Sequence, residues 1–162
     1  RQPQRTQASL QTAQAIAREL YQEVRRTVER ERLEAPIDLF SSLQTLCSGM
    51  PEPRIELSYD PRCRVRDPAM AHVIFRGVQE ALSNAVRHAR ASKIEVCVTC
   101  KASGIHVAVV DNGYGGARVA PGNGLTGMRE RIEEAGGSLS IETRPGAGYQ
   151  VGFWLPAKRE ET

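Results

Sequence analysis

Apolar positions change their period several times along the chain. Over residues 4–33, Leu10, Ala13, Ala17, Leu20, Val24 and Thr27 recur at alternating three- and four-residue spacing, and Ile16 and Val28 widen the stripe. Arg18, Glu19, Glu23, Arg25, Arg26, Glu29 and Arg30 surround it. The pattern predicts one long helix carrying the seam of a helical bundle or coiled coil. At this length it would span roughly 45 Å, so the stripe calls for a partner helix; the other arrangement folds it back on its own domain. Ala35-Pro36 ends it. Asp38 can cap a short second helix whose inward face is Leu39, Leu43, Leu46 and Cys47. After a turn at 49–53, Ile55 and Leu57 alternate with polar neighbours, which predicts a strand.

Asp67-Pro68 marks the next helix start, a capping carboxylate followed by proline at the first helical position. The helix is expected to run to about Ala91. Met70, Ile74, Val78, Ala81, Leu82, Ala85 and Ala89 form its apolar face, and Gly77, Glu80, Asn84, Arg87 and His88 a separate stripe. Strands follow. Ile94, Val96, Val98 and Cys100 alternate with polar positions, and Ser103-Gly104 makes a hairpin turn. Val107 and Val109 share a face with Asp111, and Leu139, Ile141 and Thr143 form the inward face of a later strand. Tyr149, Val151, Phe153 and Leu155 alternate with Gln150, Gly152 and Trp154. That phase puts Trp154 on the outer face, under partial cover from the N-terminal helix or a partner chain. Such alternation predicts an antiparallel sheet with helices on one face and a wetter opposite face.

Composition narrows the class. The 162 residues, 40% hydrophobic, suffice for one core with a helical appendage. A net charge of +3 is too weak to argue for nucleic acid. No run reaches the length of a membrane span, and no signal peptide is present. The first residue is Arg, which points to a segment of a longer protein, so missing membrane segments say nothing of the parent. Cys97 and Cys100 have C-x-x-C spacing, but on a strand they face opposite sides and no second pair completes a metal site. All four cysteines, Cys47, Cys63, Cys97 and Cys100, are read as ordinary reduced thiols, which fits the cytoplasm. Cys63, between Arg62 and Arg64, is a loop residue whose flanking charges favour a thiolate.

The stretch 111–128, D-N-G-Y-G-G-A-R-V-A-P-G-N-G-L-T-G-M, holds six glycines in eighteen residues between a buried strand and a helix expected over 129–135. The plain alternative is a surface turn. Thr126 can cap that helix, and Gly127 opens it, offering free N–H groups to an anion such as phosphate. Asp111, ending the strand, can sit at a pocket floor and accept the hydrogen of an exocyclic amine, which adenine has and guanine lacks at that position. Gly113, Gly115 and Gly116 let the chain bend round a base, and Gly122, Gly124 and Gly127 would bring N–H groups to phosphates. Asn84 offers a neutral amide oxygen, a hard ligand for Mg²⁺. Glu80, one turn before it, can orient a water or act as a base, and Arg87 and His88 can offset phosphate charge.

Residues 79–89, Q-E-A-L-S-N-A-V-R-H-A, resemble the N box of the GHKL ATPases: gyrase, heat-shock chaperone, histidine kinase and mismatch-repair protein. D-N-G-Y-G-G resembles their first glycine box, and G-N-G-L-T-G-M-R-E-R their second, in wording similar to sensor histidine kinases of the DesK/NarX-like class. The resemblance covers 38–156. It implies a two-layer α/β sandwich of the Bergerat type, a mixed, mainly antiparallel sheet with helices on one face, binding Mg–ATP. By it, Asp111 would bind adenine, Asn84 would hold Mg²⁺ and Glu80 would assist phosphoryl transfer. Gly122, Gly124, Leu125, Thr126 and Gly127 would line the phosphates, and 117–121 would be a short lid. One departure is Tyr149, which follows Gly148 where the family often has Thr; no Thr-held water on adenine is implied, and Tyr149 is read as packing.

Kinases of this class phosphorylate a histidine on the first helix of a dimerisation hairpin and pass the phosphate to a response regulator. Residues 1–36 look like the second helix of that hairpin, 37–157 the ATP domain and 158–162 a tail. His72, His88 and His106 do not fit an acceptor motif, and A-R-E-L-Y-Q-E resembles one only with Tyr21 in the histidine's place. The resemblance thus implies the cytoplasmic catalytic portion of a homodimeric sensor kinase, with any membrane attachment supplied from upstream. The alternatives are an anti-sigma-factor-type serine kinase and a non-catalytic ATP-binding or dimerisation module.

Overall fold

β-Branched residues on alternate positions build the centre of the sheet. In β2 (Lys93–Lys101) Ile94, Val96 and Val98 are fully buried, and in β3 (Gly104–Asp111) Ile105, Val107, Val109 and Asp111 are buried on the same face. A computed structural model describes residues 38–50, 52–115, 123–143, 146 and 148–157. The chain divides between Pro36 and Ile37 into two units, and the second holds the sheet. The helix expected over 4–33, the lid expected over 117–121 and Gly122 lie outside the described residues.

The remaining strands are β1 (Arg54–Tyr59), β4 (Ser138–Thr143) and β5 (Tyr149–Pro156), and the sheet order is β1-β2-β3-β5-β4. β1 runs parallel to β2, and every other pair is antiparallel. The parallel pair follows from connectivity, because a helix crosses over between its strands. Helices α1 (Leu39–Ser48), α2 (Pro68–Asn84) and α3 (Asn123–Glu134) share one core with the inward sheet face. The caps expected at Asp38 and Asp67 are present: the Asp38 side chain accepts from the Ser41 N–H, and the Asp67 side chain from the Ala69 N–H with Pro68 at the start of α2. This is the expected mixed two-layer α/β sandwich.

Gly77 departs from its expected place on the polar stripe of α2. It is buried, and a Cβ there would stand 2.8 Å from the Phe153 ring. α2 crosses the sheet at this point, and the missing side chain is what lets β5 fill the space with an aromatic ring. Trp154 lies on the outer face as the alternation predicts, half-buried, its ring centroid 6.4 Å from that of His106.

The expectation of four reduced cysteines fails for two. Cys63 and Cys100 form a disulfide, with Cα atoms 5.2 Å apart, while Cys47 and Cys97 are free. The cause is the parallel edge pair. Asp60 N–H donates to the Val98 carbonyl at 2.9 Å, extending the pairing beyond β1. The loop then folds back, the Tyr59 hydroxyl donating to the Cys63 carbonyl at 2.8 Å, and Cys63 is buried at the end of β2. In sequence the two lie 37 residues apart, with nothing local to mark the pair.

Candidate functional site

α2 does not continue to Ala91 as an α-helix. It ends at Asn84 and passes into a single π-helical turn, Ala85–Ala89, closed by Arg90 in the left-handed region at φ 47°. Such turns occur mostly as isolated bulges, frequently at functional sites. Glu80 and Asn84 stay in α-helical register and meet as expected. The Asn84 amide nitrogen donates to Glu80 Oε1 at 3.2 Å. A carboxylate can only accept, so this bond fixes the amide with Oδ1 turned away from Glu80. Arg87 and His88 lie within the π turn, and both are exposed.

The end of the π turn meets the first glycine box. A helix leaves its last carbonyls without intrahelical donors; here the Ala89 carbonyl accepts from the Tyr114 N–H at 3.1 Å. A Cβ on Gly113 would overlap that carbonyl, so the glycine is required by close approach. The Tyr114 carbonyl accepts in turn from the Gly146 N–H at 2.6 Å, which joins the β4–β5 turn to the same loop. Gly115 has φ 55°, a left-handed conformation natural to glycine. Asp111, 3% exposed, ends β3 and accepts from the Gly113 N–H at 2.8 Å through Oδ1.

Sequence reasoning missed Asn112. Its Oδ1 accepts from the N–H groups of Ser92 and Lys93 at 3.0 and 2.9 Å, and its Nδ2 donates to Ser92 Oγ at 2.9 Å. It straps the loop after Asp111 to the segment that follows the π turn. Asn immediately before glycine is a turn signal, but nothing local names partners nineteen and twenty residues away.

The second glycine box differs from expectation at its start. α3 begins at Asn123 and not at Gly127, because the earlier start places Leu125 on the buried face with Met128 and Ile132. Thr126 is therefore inside the helix and exposed, not its cap, and Gly127 lies past the first turn, where N–H groups bond within the helix. Gly124 and Leu125 occupy that first turn. A Cβ on Gly124 would overlap the Glu80 carboxylate, whereas one on Gly127 meets nothing nearer than Arg131 Nη1 at 3.4 Å. The structure thus brings Glu80, Asn84 and Gly124 to one point, and Asp111, Gly113 and the end of the π turn to another on the same helix. Tyr149, half-buried on β5, has its phenol raised above its ordinary pKa by burial and, after that, by the charge of Asp111.

A two-layer sandwich of this topology is the fold of histidine kinase ATP-binding domains. The ATP binding domain of PrrB from Mycobacterium tuberculosis superposes with a TM-score of 0.61 at 22% identity, over 76% of this chain and 96% of that one. The chain belongs to the family described as "Histidine kinase-, DNA gyrase B-, and HSP90-like ATPase", which matches residues 71–159, more than half of it. It is 34% identical over 152 residues to the sensor histidine kinase YxjM of Bacillus subtilis (strain 168), covering 91% of this chain and 37% of that protein. The sensor histidine kinase LiaS of the same organism is 36% identical over 110 residues, covering 66% and 31%. The chain therefore spans about a third of the length of these relatives.

Proposed function

We propose that the chain is the ATP-binding catalytic portion of a sensor histidine kinase, which phosphorylates a histidine on a helical hairpin for relay to a response regulator. The observation that carries this reading is the packing of Gly124 against the Glu80–Asn84 pair. It sets the N-terminal turn of α3, where the N–H groups of Gly124 and Leu125 have no intrahelical acceptor, near a carboxylate and an amide oxygen. Those groups suit phosphate, a proton and a hard cation respectively.

Asp111 accepts from the exocyclic amine of adenine, and Gly113 lets the loop close against the helix beside it. Asn84 Oδ1, turned away from Glu80 by the Nδ2 bond and accepting from no described residue, would hold Mg²⁺. Glu80 Oε2 takes the proton of the incoming imidazole. Bound Mg–ATP supplies the γ-phosphoryl group and the charge that offsets it; the chain supplies positioning and electrostatics. Arg87 and His88 border this helix end and counter phosphate charge at longer range. In the whole protein the relatives' class implies a homodimer, a cytoplasmic catalytic portion and membrane attachment, if any, through upstream segments. Among the described residues, no helix is long and apolar enough to cross a membrane.

Calorimetric titration with ATP, ADP and GTP tests the site. ATP and ADP should bind, and GTP should be rejected by up to about 10⁴-fold, since a carboxylate built for a donor faces guanine's carbonyl. Equal affinity for GTP would sink the role of Asp111. With γ-labelled ATP the chain alone should stay unlabelled and should label a hairpin segment supplied in trans; an acid-labile label on the chain itself would overturn this.

A further inference from the structure

Asp111 and Tyr149 are neighbours across the sheet. The β3–β5 ladder runs from Gly104↔Pro156 through Val109↔Val151 to Val110↔Gln150, and one step further sets Tyr149 opposite Asp111. Both lie on the inward face, Asp111 with Val107 and Val109, Tyr149 with Val151 and Phe153. Directly opposed residues carry their Cβ atoms about 4.5–5.5 Å apart. The approach is closer still at the preceding residue: Gly148 has φ 79°, and a Cβ there would overlap the Asp111 carbonyl. The tyrosine is thus fixed at its root against the Asp111 backbone.

The two side chains are close enough for the carboxylate charge to act on the phenol, yet no hydrogen bond joins them. Asp111 spends Oδ1 on the Gly113 N–H, and the Tyr149 hydroxyl bonds to no described residue. Burial and the Asp111 charge both favour the neutral phenol, so at neutral pH it carries a hydrogen to donate. This end of the β3–β5 pair therefore carries an acceptor and a donor on neighbouring strands.

We infer that Tyr149 is a base-selecting residue, its hydroxyl donating a hydrogen bond to a ring nitrogen that flanks the exocyclic amine held by Asp111. Adenine matches this pair, because its amine donor has a ring-nitrogen acceptor on each side. Guanine has a carbonyl acceptor in the amine's place and an N–H at the neighbouring ring position on its pairing edge, so its pattern there is reversed. The inference rests on the adenine site proposed above and adds the group that reads the second edge atom.

The test is a cycle that removes each partner in turn. ATP, 1-deaza-ATP and 7-deaza-ATP are titrated calorimetrically against the wild-type chain and Tyr149→Phe, with thermal melts to show that the variant is folded. Losing one hydrogen bond at a part-buried site should weaken ATP binding to Tyr149→Phe by about three- to tenfold. Wild type should show a similar loss with one of the two analogues, which identifies the ring nitrogen. For Tyr149→Phe, that analogue should bind as well as ATP. If each analogue is penalised as much in Tyr149→Phe as in wild type, or if wild type penalises neither, the inference is overturned even though ATP binds. The wild-type measurement decides the second case if the variant does not fold. If wild type binds no adenine nucleotide, the adenine site itself fails, and this inference with it.

Discussion

Replacing Gly124 by Ala adds one methyl group where Glu80 stands. The added Cβ would overlap Glu80 Oε1 and lie 2.7 Å from Cδ and 3.4 Å from Oε2. The obstructing atoms end a flexible side chain, so the carboxylate swings away and its 3.2 Å bond from Asn84 is lost. At a part-buried site that bond is worth about 0.5–1.5 kcal/mol. Against it, Ala is favoured over Gly within a helix by up to about 1 kcal/mol, and Gly124 needs no left-handed backbone. The two terms nearly cancel, so the melting temperature should move by less than about 5 °C. If Glu80 is the proposed base, activity should not be spared, since displacing such a group by about 1 Å can cost about 10²-fold. The assay is transfer of labelled γ-phosphate to the hairpin segment supplied in trans, with kcat and KM separated. A transfer rate within twofold of wild type would refute the role of the Gly124–Glu80 contact. A large fall in melting temperature would show that Glu80 cannot yield and that the contact is structural.

With Glu80 in the proposed role of base, Glu80→Ala should lower kcat while leaving nucleotide affinity nearly unchanged, since only the chemical step would lose the carboxylate; loss of ATP binding in a titration would make its role structural. Gly77→Ala drives a methyl group into the Phe153 ring and should cost about 1–3 kcal/mol by overpacking, read from the urea midpoint. Asn112→Leu removes three side-chain hydrogen bonds and should weaken ATP binding at least tenfold, whereas Asn112→Asp, which keeps both backbone contacts, should lose much less; equal losses by calorimetry would dismiss the strap. Asp60 is held at a pKa of about 2, first by the Arg62 side chain, against an ordinary 3.8. Its contribution is present above the unfolded value and lost as pH falls through about 2, so the urea midpoints of wild type and Asp60→Asn should converge as pH drops from 5 toward 2.

The sequence discloses most of the fold because its signals are local. Asp38 and Asp67-Pro68 announce their helices through side chains that bond two or three residues away, and strand faces follow from a period of two. The Glu80–Asn84 contact was legible for the same reason, being one helical turn. What stayed hidden is non-local or depends on close approach. Gly77 reads as a stripe residue until Phe153 is placed under it. Thr126 looks like a cap because Ser, Thr, Asp and Asn favour that position, but burial of Leu125 draws the helix start back to Asn123. Asn112, the Cys63–Cys100 pair and the Asp111–Tyr149 pair each join segments that only the sheet order brings together.

The π turn also bears on how this chain can change over generations. Five residues there, Ala85–Ala89, complete a turn that a regular helix makes with fewer, so the segment behaves as a one-residue insertion between Asn84 and the carbonyl that receives Tyr114. Both ends are pinned, one by Glu80 and the other by the glycine box. A deletion anywhere within the turn is therefore not an ordinary loop shortening. It would relax the bulge into α-helix, swing the Ala89 carbonyl about a quarter-turn from the Tyr114 N–H, and leave Glu80 and Asn84 in place while the 111–115 loop lost its anchor.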